Sequence, residues 1–287
     1  HKIDLLVMHY IGGQDSAGII EEAIDRNIPY VVINHFSNDR FNHMSFREQS
    51  SRASGIAGLS NIGLPHWLRG RFFNLSNGID INFFKKDGTQ PLPIQTDSPI
   101  IMMSARITPE KGQKDLILAC ASLHKEGIRV KAALAGRIDS PEYANMLKSL
   151  AKEYGIEKEV FFLGELPPVQ VRSWYAAATV LAFPTYHHEG LPRVLLESQA
   201  MQMPPISYII GGTPEAIIHG KTGYLVKKGN IHELTLRLRE LITNKKKRIE
   251  MGNVGRSFVE EHFSLQSIAS RHEAFYTKAV SNMNSKI

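Results

Sequence analysis

The sequence is short of cysteine, of long apolar runs and of low-complexity segments, and each shortage closes off a class of protein. Cys120 is the single cysteine among 287 residues. It excludes an internal disulfide framework and a cysteine-based structural zinc site, so a reducing cytoplasm is the natural compartment and Cys120 is assigned to the core. No stretch approaches the ~20 consecutive apolar residues of a membrane-spanning helix, and no charged-then-apolar signal segment opens the chain. The expectation is a soluble protein, at most peripheral to a membrane. No Gly-x-Gly-x-x-Gly follows a strand, which argues against a dinucleotide-dependent oxidoreductase, and no Asp-x-Asp pair offers a divalent metal its ligands. Short-period repeats are also lacking.

What is present is an ordinary globular composition, 43% hydrophobic and 22% charged, with length for two domains or one large one. The 34 Lys and Arg outnumber 28 Asp and Glu, a net charge of +6 that favours anionic partners such as phosphates or a lipid surface without choosing between them.

Apolar runs of strand length alternate with helical patterns through most of the chain. That is the signature of βαβ units around a parallel sheet, and it sets the class as α/β. Residues 4–10 and 29–36 read as strands flanking a helix over 17–27, and 53–60 and 71–77 as further short strands. This is about half of a doubly wound domain. With strand-like residues following His1 almost at once, the first domain is expected to lack its opening units. Asn77-Gly78 begins a turn and a polar, Gly- and Pro-punctuated linker, which puts the boundary near residue 95 and a partial first domain over 1–95. A complete doubly wound layer is expected over 96–262, followed by a last helix within 263–287. The basic run Lys245 to Arg248 reads as a solvated helix start, with a membrane-surface role as the alternative.

In open α/β sheets the ligand sits beyond the carboxyl ends of the strands, so the loops just after each strand are informative. In SARITPEKGQKD, Arg106 and Lys111 flank a turn before a helix start, and unpaired N–H groups with the helix dipole favour an anion there; two exposed surface cations are the plainer reading. Gly136 and Gly164 each close a strand, as turns or as places where backbone approaches a ligand. The fourth loop, TYHHEGLPRVLLESQAM, carries Glu189 and, eight positions on, Glu197 in a helix that Pro192 helps to start. Gly190 and Leu191 add N–H groups, so the segment suits a ligand bearing both phosphates and hydroxyls. Taken singly, each glutamate reads as well as a helix-dipole or surface carboxylate.

Arg106 and Lys111, Gly136, the Phe162-Leu163-Gly164 run, the 189–197 segment, GGTPEAI and TGYLV together resemble, in order and spacing, the retaining GT-B glycosyltransferases of family 4, the group 1 glycosyltransferases. The resemblance covers 98–262 almost throughout. LSNGIDINFF looks like the segment closing the acceptor domain of that family, and PYVVINHF like its strand ending in a functional histidine, His35. The resemblance implies a GT-B fold of two Rossmann-like doubly wound domains, the N-terminal one incomplete, with a C-terminal helix crossing back to the first. It implies transfer of a sugar, with retention of configuration, from a UDP or GDP sugar to a glycan or lipid-linked acceptor. By the same resemblance Arg106 and Lys111 hold the donor diphosphate, Glu197 accepts from the ribose hydroxyls, and Glu189 with the Gly190 and Leu191 N–H groups holds the transferred sugar. Gly136 and Leu163 line the base pocket, and His35 contacts the sugar from the acceptor side. Neither a metal nor a cofactor is expected, nor a nucleic-acid partner, and location is cytoplasmic, with peripheral contact at the inner face of the membrane as the accompanying expectation.

Pro192 stands where many members carry glycine, which removes one N–H donor while favouring the helix start. The competing readings are a UDP-sugar epimerase or a phosphorylase of the same fold, and a sugar-nucleotide-binding module without transfer activity. His187 and His188 read as ligand contacts or as exposed loop residues.

Overall fold

Short β-branched and apolar runs pair in parallel to build two sheets, and contacts divide the chain into two units. The first comprises His1–Gly78, Glu189–Leu191 and Phe263–Ile287; the second comprises Ile79–His188 and Pro192–His262. The structure, a computed structural model, describes every residue except 1, 2, 10, 91, 93, 95 and 285–287.

The first unit runs β1 (Leu6–Met8), α1 (Gln14–Asp25), β2 (Tyr30–Asn34), α2 (Met44–Ser51), β3 (Gly55–Gly58) and β4 (Phe72–Asn74). Its strands lie parallel in the order β1-β2-β3-β4. Side chains alternate across the sheet with period two. Tyr30, Val32 and Ile56 pack with Ile20, Phe41, Phe46 and Leu68 on one face. Val31, Ile33 and Ala57 pack with Leu75 and Phe275 on the other, so both faces are covered, as a parallel sheet requires. The strand expected over 29–36 stops at Asn34, whose Oδ1 accepts from the Phe36 N–H at 3.1 Å while Nδ2 donates to the Phe36 and Ser37 carbonyls at 3.2 Å. A side chain that satisfies the backbone this way turns the chain out of the ladder. The end of the strand expected over 4–10 falls on a residue outside the described ones.

The second unit runs β5 (Ile100–Ser104), α3 (Gln113–Lys125), β6 (Lys131–Ala135), α4 (Pro141–Glu153), β7 (Val160–Gly164), α5 (Pro168–Ala177), β8 (Val180–Phe183), α6 (Arg193–Ala200), β9 (Pro205–Tyr208), α7 (Thr213–Ala216), β10 (Tyr224–Val226), α8 (Ile231–Thr243) and α9 (Lys245–Phe263). The final helix α10 (Leu265–Asn284) belongs to the first unit. Helix starts follow their caps: Ser140 accepts from the Tyr143 N–H with Pro141 at the first position, and Asn230 accepts from the Glu233 N–H. Leu116, Cys120 and Leu123 share one face of α3 and join Ile101, Leu134, Leu147 and Leu238 in one core. The strand order is β10-β9-β8-β5-β6-β7, all parallel.

Residues 79–90, assigned by sequence to the first domain, pack in the second unit. Arg256 donates to the Ile81 carbonyl at 3.0 Å and the Phe84 carbonyl at 2.6 Å, and Arg172 donates to the Phe83 carbonyl at 3.2 Å. The Phe84 ring lies 6.4 Å from that of Tyr175. The division by contact therefore falls after Gly78, whereas residue 95, where the linker reading placed it, lies outside the described residues. Among the described residues no helix is long and apolar enough to cross a membrane.

Candidate functional site

Strand β5 pairs with β6 on one side and β8 on the other. The chain reverses its direction of travel across the sheet at that point, which separates the loops leaving β5 and β8 from the helices and opens a crevice at their carboxyl ends. The loop after β5 carries Arg106 and Lys111, and the loop after β8 runs from Pro184 toward α6.

These two loops are bonded to each other. The Tyr186 N–H donates to the Glu110 carbonyl at 2.8 Å, and the Thr185 hydroxyl donates to the same oxygen at 3.2 Å. Asp115, buried in the first turn of α3, accepts from the hydroxyls of Tyr186 and Tyr208, each at 2.6 Å. Asp115 also suits the dipole of the helix it begins. Burial, then the bond to Asp115, pushes the Tyr186 phenol up to about 12. Sequence reasoning passed over Asp115, although an acidic residue two positions into a predicted helix was a signal.

Lys111 is buried, and Gly112 takes φ +82° between it and α3. A Cβ at Gly112 would fall inside the Pro184 carbonyl oxygen, so only glycine fits this turn. Arg106 is exposed and donates through Nη1 to Asp139 Oδ2 at 2.8 Å; its own carbonyl accepts from Gln113 Nε2 at 2.7 Å. Arg137 binds the other oxygen of Asp139 at 2.5 Å. The hydrogen bond from Arg137, with Arg106 adding to it, holds the Asp139 carboxyl below the usual carboxylate range.

Gly136 and Arg106 line one depression of about 390 Å³ with Ser104, Arg137, Glu165 and Leu166. Leu163, expected beside Gly136, lines a neighbouring depression of about 440 Å³ with Gln170, Ser173 and Trp174, and Leu166 is common to the two. The difference follows from β7: its register shifts against β6 at Leu134 and Ala135, so Gly164 rather than Leu163 stands opposite Ala135, and the Gly136 N–H donates to the Gly164 carbonyl at 2.7 Å.

Glu197 lies on α6, 14% exposed, with Oε1 3.6 Å from Arg193 Nε and Oε2 accepting from the Tyr175 hydroxyl at 3.5 Å. Burial raises its pKa, partly offset by Arg193 and Tyr175. The folded carboxyl thus binds its proton more tightly than the unfolded one. The resulting stabilisation is complete below the ordinary carboxylate pKa and is lost as pH rises through the raised folded value. Glu197→Gln is therefore expected to flatten this part of the stability profile and to be at least as stable as wild type at pH 7, which thermal unfolding across pH 4–8 measures.

Contacts place Glu189, Gly190 and Leu191 with the first unit and Pro192 with the second. Leu191 is buried, and its carbonyl accepts from Asn77 Nδ2 at 2.8 Å. Pro192 stands at the N-cap position of α6, immediately before its first residue Arg193. Both His187 and His188 are exposed. His35 follows β2 in the first unit. Its Nε2 stands 2.8 Å from His9 Nδ1, with the rings stacked at 5.0 Å. Burial, then His9 and His272, lower the His35 pKa.

Residues 84–258 match the model of the family described as Glycosyl transferases group 1. The capsular polysaccharide biosynthesis glycosyltransferase CapM of Staphylococcus aureus is 27% identical over 228 residues, 76% of this chain and 57% of CapM. N-acetyl-alpha-D-glucosaminyl L-malate synthase of Bacillus anthracis is 31% identical over 197 residues, 68% of this chain and 50% of that protein. The chain spans about half the length of the curated relatives it matches. The structure of Anabaena Alr3699/HepE in complex with UDP aligns with a TM-score of 0.83 at 21% identity, covering 96% of this chain and 78% of that one. The likeness shows the fold, Rossmann-like α/β units of the GT-B type.

Proposed function

Because the chain belongs to the group 1 glycosyl transferases, we propose that it takes part in moving a sugar from a UDP or GDP sugar to a glycan or lipid-linked acceptor, as a retaining enzyme of family 4. What supports this reading is the pair of bonded loops at the β5/β8 switch point: Arg106 and Lys111 lie on the loop after β5, and Glu197 lies on α6, which follows the loop after β8. A diphosphate takes its neutralisation from cations and helix N–H groups, and ribose hydroxyls donate hydrogen bonds to a desolvated carboxylate. Arg106 and Lys111 then stabilise the charge that grows on the leaving diphosphate as the glycosidic bond breaks. Glu189, with the N–H groups of Gly190 and Leu191, holds the transferred sugar, and His35 contacts it near the reacting carbon. With these cations neutralising the phosphates, no divalent metal is required.

The test is thermal-shift titration with UDP, GDP and ADP in EDTA. One of the first two is expected to stabilise the chain by about 2.7 kcal/mol at a hundred times its Kd, and Glu197→Ala to abolish the shift. The reading fails if all three nucleotides leave the transition unmoved. Nucleotide binding with no transfer and no donor hydrolysis by the full-length protein identifies a binding module instead.

A further inference from the structure

Thr179 precedes β8, so its surroundings lie at the end of the sheet opposite the loops just described. There, a depression of about 270 Å³ is lined by Lys86, Thr179, Gln202, Arg248 and Asn253. We propose that this depression binds a phosphoryl group, carried by a soluble phosphorylated compound or by a lipid headgroup.

Two cations converge on it, and among the described residues neither has a carboxylate within ion-pair distance. Burial, and then Arg248, lower the Lys86 pKa, and burial lowers that of Arg248, so each charge stands partly desolvated beside the other. Like charges in that arrangement are costly until an anion joins them. Both are held in place. Lys86 sits in the segment fastened by Arg256 through the Ile81 and Phe84 carbonyls and by Arg172 through the Phe83 and Gly88 carbonyls. Arg248 Nη1 donates to the Leu241 carbonyl at 2.7 Å and the Ile242 carbonyl at 3.2 Å, closing the end of α8. Its Nε and Nη2 make no hydrogen bond among the described residues.

The charge pattern of α9 points the same way. This 19-residue helix opens on Lys245, Lys246, Lys247 and Arg248, where the dipole favours acidic residues. Lys247 pairs with Glu240, and Lys246 approaches Glu250 at 4.0 Å, which leaves Arg248 facing the depression. An oxyanion there compensates both the helix dipole and the two cations. Gln202 and Asn253, bonded to each other at 2.8 Å, and the Thr179 hydroxyl supply neutral polar contacts. The space suits a phosphoryl group with a few further atoms rather than a whole nucleotide sugar.

The test compares wild type with Lys86→Gln, Arg106→Ala and Lys245→Gln. One arm is calorimetric titration with inorganic phosphate at constant ionic strength; the other is co-sedimentation with phosphatidylglycerol vesicles against phosphatidylcholine vesicles. Lys86 is exposed, so its substitution leaves the fold intact. Lys86→Gln is expected to weaken binding about tenfold in one arm, and which arm responds identifies the source of the phosphoryl group. Lys245→Gln should bind as wild type does, and Arg106→Ala, which alters the proposed donor site, should keep the component of binding that Lys86→Gln loses. The proposal is overturned if Lys86→Gln binds as wild type in both arms, if only Arg106→Ala loses phosphate, or if Lys245→Gln loses vesicle binding equally.

Discussion

Replacing Arg106 with alanine is expected to lower kcat for sugar transfer by roughly 10²–10³-fold, the usual cost of removing one preorganised donor from a developing oxyanion. The melting temperature should barely move, because the side chain is exposed and, among the described residues, its ion-pair partner is the Asp139 carboxylate. That carboxylate is shared with Arg137, so under the proposed function Arg106 exchanges one anion for another on binding a diphosphate while Asp139 keeps a cation. KM should rise less than kcat falls if the guanidinium acts chiefly on the charge that grows as the bond breaks. Steady-state kinetics with the donor varied measures the split, and Arg106→Lys should recover part of kcat, since a point charge remains without the planar fork. An unchanged kcat for Arg106→Ala would remove this residue from the chemistry.

The second large effect is expected from Gly112→Ala. The residue combines a left-handed φ of +82° with a backbone oxygen, that of Pro184, where a Cβ would stand. Strain and overpacking together should cost about 3 kcal/mol, a fall in Tm of roughly 10 °C for a domain of this size. The collision also pushes apart the two loops joined at Glu110, so nucleotide-induced stabilisation should be lost in whatever protein stays folded. Gly220→Ala is the matched control. It has φ +75° in the same unit with open space around it, so it should show only the conformational penalty, about 1 kcal/mol. Calorimetry on the two variants separates steric exclusion from backbone strain; equal losses would mean that the approach of Pro184 is unimportant.

Some of this site is legible in the sequence alone. Arg106, Lys111, Gly136 and Glu197 could be singled out because they follow apolar runs or sit at predicted helix starts, and such positions are local. The partners that hold them were not. Asp139 binds Arg106 across 33 positions, and Asp115 takes Tyr186 and Tyr208 from 71 and 93 positions away. No periodicity reports contacts of that span. Leu163 shows the same limit at shorter range: its place on β7 was readable, but the register shift that sets Gly164 against Ala135 arises only in pairing with β6. The segment 79–90 misled for a related reason. Gly and polar residues mark a chain leaving regular structure, yet Phe83 and Phe84 within it find Arg172 and Tyr175 and bind the segment to the second unit.

The sequence by itself determined the α/β class, the alternation of strand and helix, the caps and the loops in which ligand chemistry had to lie, because each of these rests on spacing and turn chemistry within a few residues. The tertiary structure decided the strand order, which loops stand together at the β5/β8 switch point, and that Lys86 faces Arg248 at the other end of the sheet. Those are outcomes of burying both faces of a parallel sheet, a condition that residues far apart in the chain satisfy jointly.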